Sequence, residues 1–351
     1  MQHVAQPEVV HAISDPDSGL EGLIVLHSTA LGPAAGGCRL LHYDDASLMQ
    51  ADAFRLAEGM SYKNALAGLP MGGGKAVIRL PQGSFSRRQL FQAFGRAVDA
   101  LGGRYITAED VGTSVEDMQE VAENTRFVAG LPSDADGPGG DPSPWTAKGV
   151  FVSMQTIVRR QLARDLSDCV VAIQGLGHVG RPLAQMLHEG GARLIVADIS
   201  ETNISRVVSE TGATAVPVEQ ILSVEADVLA PCALGAIFDE TSINAVRAKI
   251  VCGAANNQLA TPEDGVRLAD RGILYAPDYV VNAGGIINVA GEYFGWTSQE
   301  TQRRVFETGQ RLASVLDYAS ATGIAPNHAA DELARATIAK GPSQLHAGNP
   351  S

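Results

Sequence analysis

The sequence lacks the features that would place it in a membrane, on nucleic acid or around a metal. No apolar run reaches the roughly 18 to 20 residues needed to cross a bilayer. The first residues carry acids early and show no basic stretch leading into an apolar one, so no secretory signal is expected. Basic residues are outnumbered, 26 Lys and Arg against 39 Asp and Glu. The resulting net charge of −13 argues against nucleic acid or an anionic membrane surface as the main partner. The eight histidines are scattered, without a metal-ligand spacing such as HExxH. Cysteine is scarce too: Cys38, Cys169, Cys232 and Cys252 lie far apart in apolar or Gly-rich segments. They read as reduced interior thiols of a cytoplasmic protein, not as a disulfide framework or a CxxC metal site. Internal repeats and low-complexity tracts are missing. What 351 residues do allow is two domains with sizeable cores.

One stretch stands out, Met60-Ser-Tyr-Lys-Asn-Ala-Leu-Ala-Gly-Leu-Pro-Met-Gly-Gly-Gly-Lys75, which sets Lys63 and Lys75 twelve residues apart across a Pro-Met-Gly-Gly-Gly turn. The segment before it, about 46–66, puts Leu48, Ala51, Phe54, Ala57 and Tyr62 near helical spacing, so a helix is expected with Lys63 in its last turn. Three glycines admit close backbone approach and positive φ. Ala76-Val-Ile-Arg-Leu80 reads as a short strand, which places Lys75 at a loop-to-strand junction. Such lysines can be solvated surface groups. In an apolar, glycine-lined setting, however, one lowers the pKa of the other; a neutral amine can then act as base or activate water while its neighbour holds a carboxylate.

The first 30 residues alternate apolar and polar, and Val9-Val-His-Ala-Ile13 and Leu23-Ile-Val-Leu-His27 flank a turn, a hairpin signature. A further strand is expected around Leu31 to Arg39, then the lysine helix and strand, then a helix over about 87–101. Strands ahead of helices imply a mixed-sheet α/β domain. Tyr105-Ile-Thr-Ala-Glu-Asp-Val-Gly-Thr113 ends a strand with two acids, Glu109 and Asp110, before a helix beginning near Ser114, where an acid can simply complement the helix dipole. The Pro-, Gly- and Asp-rich run from Gly130 to Trp145 reads as a loop or hinge. Thr146-Ala-Lys-Gly-Val150 opens a helix.

Cys169-Val-Val-Ala-Ile-Gln-Gly-Leu-Gly-His-Val-Gly180 has the order that dinucleotide binding requires: a buried strand, Gly175-x-Gly177-x-x-Gly180, then a helix through Pro182 to Leu187. Leu194-Ile-Val-Ala-Asp198 supplies a second strand ending in an acid 23 positions after Gly175, suited to ribose hydroxyls. The glycines let a pyrophosphate reach backbone N–H groups at the helix start. Asp198 favours NAD over NADP, because its carboxylate repels a 2′-phosphate; Arg206, on an expected helix, weakens this only slightly. Val228 to Ala233 and Lys249 to Asn257 are further strands ending in small residues and amides. Asn256 and Asn257 either cap the next element or contact a ligand. From Glu300 a long helix is expected, then a shorter one over Asp331 to Ile338, with His346 to Ser351 frayed.

From Lys63 through Leu69-Pro-Met-Gly-Gly-Gly-Lys75 the sequence resembles the glutamate/leucine/phenylalanine/valine dehydrogenases, the leucine and phenylalanine branches above all. The likeness continues through Asp110-Val-Gly-Thr113, Thr146-Ala-Lys-Gly-Val150, Ala230 to Ala236, Gly253-Ala-Ala-Asn-Asn257 and Ala276 to Val289, nearly the whole chain. It implies an N-terminal mixed-sheet domain for substrate binding and oligomerisation, 1–143 plus about 326–351. It also implies a Rossmann-type NAD domain over 144–325 and a cleft between the two. Lys75 and Asp110 become the catalytic pair, with Lys63 on the substrate carboxylate, Asn282 hydrogen-bonding substrate, and Gly36 and Gly37 in the first substrate loop. Cofactor contacts fall on Thr146, Gly175, Gly177, His178, Val179, Gly180, Asp198, Cys232, Ala233, Ala255, Asn256 and Asn257. A homo-oligomer is implied, handling a small amino acid or 2-oxo acid with ammonium, and no metal.

In that family the residue before Gly-Gly helps to set side-chain specificity, and glutamate enzymes carry a lysine there. This chain has Ala35, and the pocket's other positions are Ala108, Ile286 and Val289. An isolated carboxylate buried among them costs several kcal/mol, whereas a leucine-sized side chain gains roughly 1.5 to 3 kcal/mol on burial. Ala35 enlarges the pocket while Ile286 and Val289 narrow it, so branched-chain substrates are expected ahead of phenylalanine. A hydroxyacid-type NAD dehydrogenase would want a histidine acid/base in a matching segment, and none is there. A non-catalytic NAD-binding regulator would have lost Lys63, Lys75 or Asp110, and all three are present.

Overall fold

Asp15-Pro-Asp-Ser-Gly19 turns the chain back on itself, with Asp15 Oδ1 accepting the Asp17 N–H at 3.2 Å and Gly19 at φ +75°. Strands β1 (Val9–Asp15) and β2 (Leu20–Ser28) pair antiparallel across it, as the alternation predicts. The computed structural model describes residues 6–132, 138–233 and 235–342; the expected fraying of His346 to Ser351, and the middle of the Pro/Gly-rich loop, lie outside them. By its contacts the chain divides into two units.

The first unit carries β3 (Ala34–Ala35), β4 (Cys38–Leu41), α1 (Ala46–Leu66), β5 (Gly72–Arg79), α2 (Arg87–Asp99), β6 (Tyr105–Ile106) and α3 (Val115–Ala122). Its sheet runs β1-β2-β5-β3-β6, with β4 also pairing β5. The β1–β2 and β2–β5 pairs are antiparallel and the others parallel, which makes it the expected mixed sheet. Alternation along the strands sorts side chains to two faces. Ile24, Leu26, Ala76, Ile78, Cys38 and Leu40 go to a core shared with α2. Val25, Val77 and Leu41 turn towards Met49, Ala53 and Ala57 of α1.

Two expectations need correcting here. Of the five residues at helical spacing, Ala57 and Tyr62 are buried, but Leu48 is 51% exposed, and the buried stripe of the first turns runs through Met49 and Ala53 instead. An Ala-rich helix offers two nearly equivalent apolar stripes, and the sheet takes the one whose small side chains permit close approach. The three glycines also do not form a positive-φ turn. They are the start of β5, so Lys75 sits within the strand. What requires glycine is space: a Cβ on Gly72 would lie 1.9 Å from the Ser28 carbonyl oxygen, and one on Gly73 2.0 Å from the Ser61 nitrogen.

The second unit carries α4 (Ser143–Leu162), β7 (Val170–Gln174), α5 (Gly180–Glu189), β8 (Arg193–Ala197), α6 (Glu201–Thr211), β9 (Thr214–Ala215), β10 (Val228–Pro231), β11 (Ile250–Val251), α7 (Glu263–Asp270), β12 (Leu274–Tyr275) and α8 (Asp278–Val281). All its strands are parallel, in the order β12-β11-β10-β7-β8-β9. The winding reverses between β7 and β10, the switch point of a doubly wound sheet. Four helices follow in pieces: α9 (Gly284–Phe294), α10 (Ser298–Phe306), α11 (Thr308–Thr322) and α12 (Pro326–Lys340). The helix expected to run on from Glu300 is thus broken at Glu307, and the last one is longer than expected. It starts on Pro326, a residue already set for a first helical position.

The unit boundaries also differ from the expected ones. Asn288–Ser298 joins the first unit, and the return to it begins at Ala334 instead of about 326. Glu292 explains the former: its carboxylate accepts the N–H groups of Gly130 at 2.8 Å and Leu131 at 3.0 Å. Asn327 and Asp331 explain the latter, because they bond Pro262 O and the Tyr279 hydroxyl of the second unit.

Candidate active site

In the parallel register of β4 on β5, Cys38 faces Ala76 and Arg39 faces Val77. Arg39 therefore shares the α1 side of the sheet with Lys75, two residues before Val77. The loop after β6 brings Asp110 to the same place. Lys75 Nζ stands 2.9 Å from Asp110 Oδ2, and Arg39 Nε donates to that same oxygen at 2.8 Å. Gly37 makes room, since a Cβ there would lie 2.8 Å from the Asp110 Cβ. Thr113 fixes the loop: its hydroxyl accepts the Asp110 N–H at 2.8 Å and reaches Cys38 O at 3.0 Å.

Lys75 is only 3% exposed. Burial lowers its pKa, and the Arg39 cation lowers it further, while Asp110 works the other way. Burial alone would push the Asp110 carboxyl up, but Lys75 and Arg39 override it and hold the group at about 2. The site is thus a lysine poised to lose its proton beside a carboxylate that stays ionised, the pairing a base or water activator requires.

Of the other expected residues of the first unit, Ala35 pairs with Gly73 of β5 and Ala108 O accepts the Cys38 N–H at 2.8 Å. Ala35 in β3 is 1% exposed and Ala108 is 8% exposed. A Cβ on Gly36 would meet the Gly74 carbonyl oxygen at 1.9 Å. Lys63 lies in the last turn of α1, as expected. Val289, 8% exposed, belongs to the stretch of α9 in the first unit, whereas the half-buried Ile286 counts with the second. Sequence reasoning missed Arg39 and the residue that anchors it, Asp52 in α1, whose Oδ2 takes Arg39 Nη1 at 3.1 Å. The available signal was Gly36-Gly37-x-Arg39, an arginine one strand register from the lysine.

In the second unit the glycine loop has a dinucleotide's shape. Gly175 takes φ +91°, and a Cβ on it would collide with Ala233 at 2.8 Å; one on Gly180 would lie 1.9 Å from Gly175 O. A Cβ on Gly177 would meet nothing within 4 Å, so that position opens outward, next to the exposed His178. Val179 offers no side-chain cap to α5, which leaves the N–H groups of its first turn for a phosphate. Asp198 closes the site from β8, accepting Leu176 N–H at 2.5 Å and Ser200 N–H at 2.7 Å. Cys232 and Ala233 follow β10 across the switch point, and Cys232 N donates to Gln174 O at 2.7 Å. These residues fit a dinucleotide.

Asn282 Nδ2 donates to Ala254 O at 3.0 Å and to Asn256 Oδ1 at 2.7 Å. Its own Oδ1 is buried without a hydrogen-bond partner, an acceptor suited to a ligand N–H. Asn257 adopts φ 52°, and Ala255 is buried beside it. Gly284 and Gly285 rest on the start of α4: a Cβ on Gly285 would lie 2.7 Å from Thr146 Oγ1. Cys38, Cys169, Cys232 and Cys252 are all free thiols. Among the described residues, no group of His, Cys, Asp or Glu is arranged to hold a metal, and no helix is long and apolar enough to cross a membrane.

Residues 7–127 match the family described as Glu/Leu/Phe/Val dehydrogenase, dimerisation domain, and residues 193–340 match Glutamate/Leucine/Phenylalanine/Valine dehydrogenase. A leucine dehydrogenase of Bacillus cereus is 45% identical over 333 residues, covering 95% of this chain and 91% of its own. A valine dehydrogenase of Streptomyces coelicolor is 43% identical over 338 residues, covering 95% and 92%. Among solved structures, the L-tryptophan dehydrogenase of Nostoc punctiforme superposes with a TM-score of 0.84 at 37% identity, over 95% of this chain and 96% of that one.

Proposed function

Since the chain belongs to the Glu/Leu/Phe/Val dehydrogenase family, and so is an amino-acid dehydrogenase catalysing oxidative deamination, we propose that it uses NAD and prefers branched-chain L-amino acids, leucine first. The observation that carries the reading is the buried Lys75–Asp110 contact, 2.9 Å long, and the side-chain pocket is read as Ala35, Ala108, Ile286 and Val289, none of them charged. No cation lies at position 35 for a side-chain carboxylate, so glutamate is disfavoured. Phenylalanine is the second reading, because Ala35 and Ala108 are both small.

Bound NAD would supply the hydride acceptor for the substrate Cα. The glycine loop and the first turn of α5 would hold its pyrophosphate, Asp198 the adenosine ribose, and Thr146, Cys232, Ala233, Ala255, Asn256 and Asn257 its nicotinamide half. Lys63 pairs with the substrate carboxylate, and Asn282 Oδ1 accepts a substrate N–H. Asp110 receives the substrate nitrogen and relays its protons. Lys75, whose pKa burial and Arg39 lower, activates the water that attacks the iminium carbon. The carbinolamine then collapses to 2-oxo acid and ammonium. A homo-oligomer built through the first unit, in the cytoplasm, completes the proposal: the family description of residues 7–127 names dimerisation, and the four free thiols suit a reducing compartment. Size-exclusion chromatography with light scattering tests the assembly.

The activity test is NADH formation at alkaline pH with leucine, valine, phenylalanine and glutamate, wild type beside Lys75→Ala. Turnover of one apolar amino acid, lost in the variant, is expected. No turnover of any of the four by a protein that binds NAD would overturn the reading.

A further inference from the structure

We propose that Arg39 is a positioning residue of the reaction: it keeps Asp110 ionised in the resting site and so leaves Lys75 as the group whose titration sets the pH dependence. The inference rests on the catalytic roles given above for Lys75 and Asp110.

Both cations sit on one oxygen. Lys75 Nζ is 2.9 Å and Arg39 Nε 2.8 Å from Asp110 Oδ2, while Oδ1 accepts no hydrogen bond among the described residues and remains for the substrate nitrogen. When Lys75 gives up its proton to activate water, Asp110 loses one of its two positive neighbours. A carboxylate left alone in a buried site would take up a proton. Arginine keeps its charge at any working pH, and its fork reaches two acceptors at once. Arg39 uses that fork, with Nε on Asp110 and Nη1 on Asp52 Oδ2 at 3.1 Å. Asp52 is itself held by the Tyr43 hydroxyl at 2.8 Å and by Arg55 Nη2 at 2.9 Å. The guanidinium is thus fixed from the loop after β6 on one side and α1 on the other, with 15% of its side chain exposed.

The same charge disfavours a second cation beside it. The ionisable groups acting on Lys75 are Asp110 from the loop after β6 and Arg39 and the Cys38 thiol from β4; those acting on Asp110 are Lys75 and Arg39. Of the cations in these sets, only Arg39 never titrates. Asp110 therefore holds a proton only in passing and returns to the anion, and the pH dependence of the reaction belongs to Lys75.

The chain has five lysines, so labelling with [13Cε]lysine lets Lys75 be followed directly by NMR, its signal assigned by loss in Lys75→Met. In Arg39→Gln the Lys75 midpoint is expected to rise by roughly one pH unit or more. The ascending limb of kcat/KM for leucine should move upward with it. Arg39→Lys keeps the charge and should leave both in place, although kcat falls because one fork contact is lost. An unmoved midpoint in folded Arg39→Gln overturns the proposal, as does failure of both variants to fold, which would make Arg39 scaffold alone. A midpoint that moves in an enzyme with no amino-acid turnover would instead sink the functional reading and leave the electrostatic link standing.

Discussion

Asn64 Nδ2 donates at 2.6 Å to the carbonyl oxygen of Gly72, fastening the last turn of α1 to the first residue of β5. Lys63 precedes the donor and Lys75 follows the acceptor by three residues, so this one bond sets the spacing of the two lysines. Asn64 is fully buried. Gly72 O stays in the ladder between β3 and β5, so Asn64→Leu should remove one buried bond and destabilise the protein by about 0.5 to 1.5 kcal/mol. Denaturant unfolding measures this; an unchanged midpoint would show that the bond is dispensable.

Two glycines of the same region should respond oppositely to alanine. At Gly73 the new methyl would fall 2.0 Å from the Ser61 nitrogen, which is backbone and cannot swing aside. The α1–β5 contact must open, costing about 1 to 3 kcal/mol or more and displacing Lys63 relative to Lys75, so activity should drop further than stability. At Gly59, inside α1, a Cβ meets nothing within 4 Å, and alanine should stabilise by up to about 1 kcal/mol. Equal melting shifts in the two variants would refute the packing argument.

The parts of this site legible in the sequence were the contiguous ones. Gly175 to Gly180 with Asp198, and the Lys63 to Lys75 run, carry their chemistry in local order, and the structure sets each in the element expected, apart from Lys75 itself. Arg39 and Asp110 are 71 residues apart. Their meeting depends on β4 running parallel beside the stretch after β6, with Cys38 bridged to Glu109, which no local pattern states. The glycines at 72–74 were read as turn formers because glycine so often serves positive φ; here their reason is the backbone of α1 and β2 pressed against them. Glu292, which carries Asn288–Ser298 into the first unit, gives no local signal because its partners are two backbone N–H groups more than 160 residues away.

Asp110 should make stability depend on acid. Its folded-state pKa of about 2 lies below the ordinary 3.8, because Lys75 and Arg39 prevail over burial. A depressed pKa contributes stability that is present above the unfolded value and lost as pH falls from about 4 towards 2, here worth about 2 kcal/mol. Asp110→Asn should therefore be less stable than wild type at neutral pH, with the difference shrinking across that window. Unfolding free energies of both proteins at pH 6, 4 and 3 decide it, and a difference that does not shrink would contradict the electrostatic account.

Asp198 is the remaining test, and it separates cofactor choice from loop structure. Its two oxygens already receive Leu176 N–H at 2.5 Å and Ser200 N–H at 2.7 Å, so the carboxylate holds the glycine loop besides the ribose role proposed for it. Asp198→Asn keeps one backbone acceptor and removes the charge. A lost charge-assisted hydrogen bond of about 1.5 to 3 kcal/mol should lower kcat/KM for NAD by roughly ten- to a hundredfold. NADP, relieved of repulsion at its 2′-phosphate, should gain in the same assay. If both cofactors lose equally, Asp198 acts through the loop alone; if the NADP to NAD ratio rises, the carboxylate is what selects NAD.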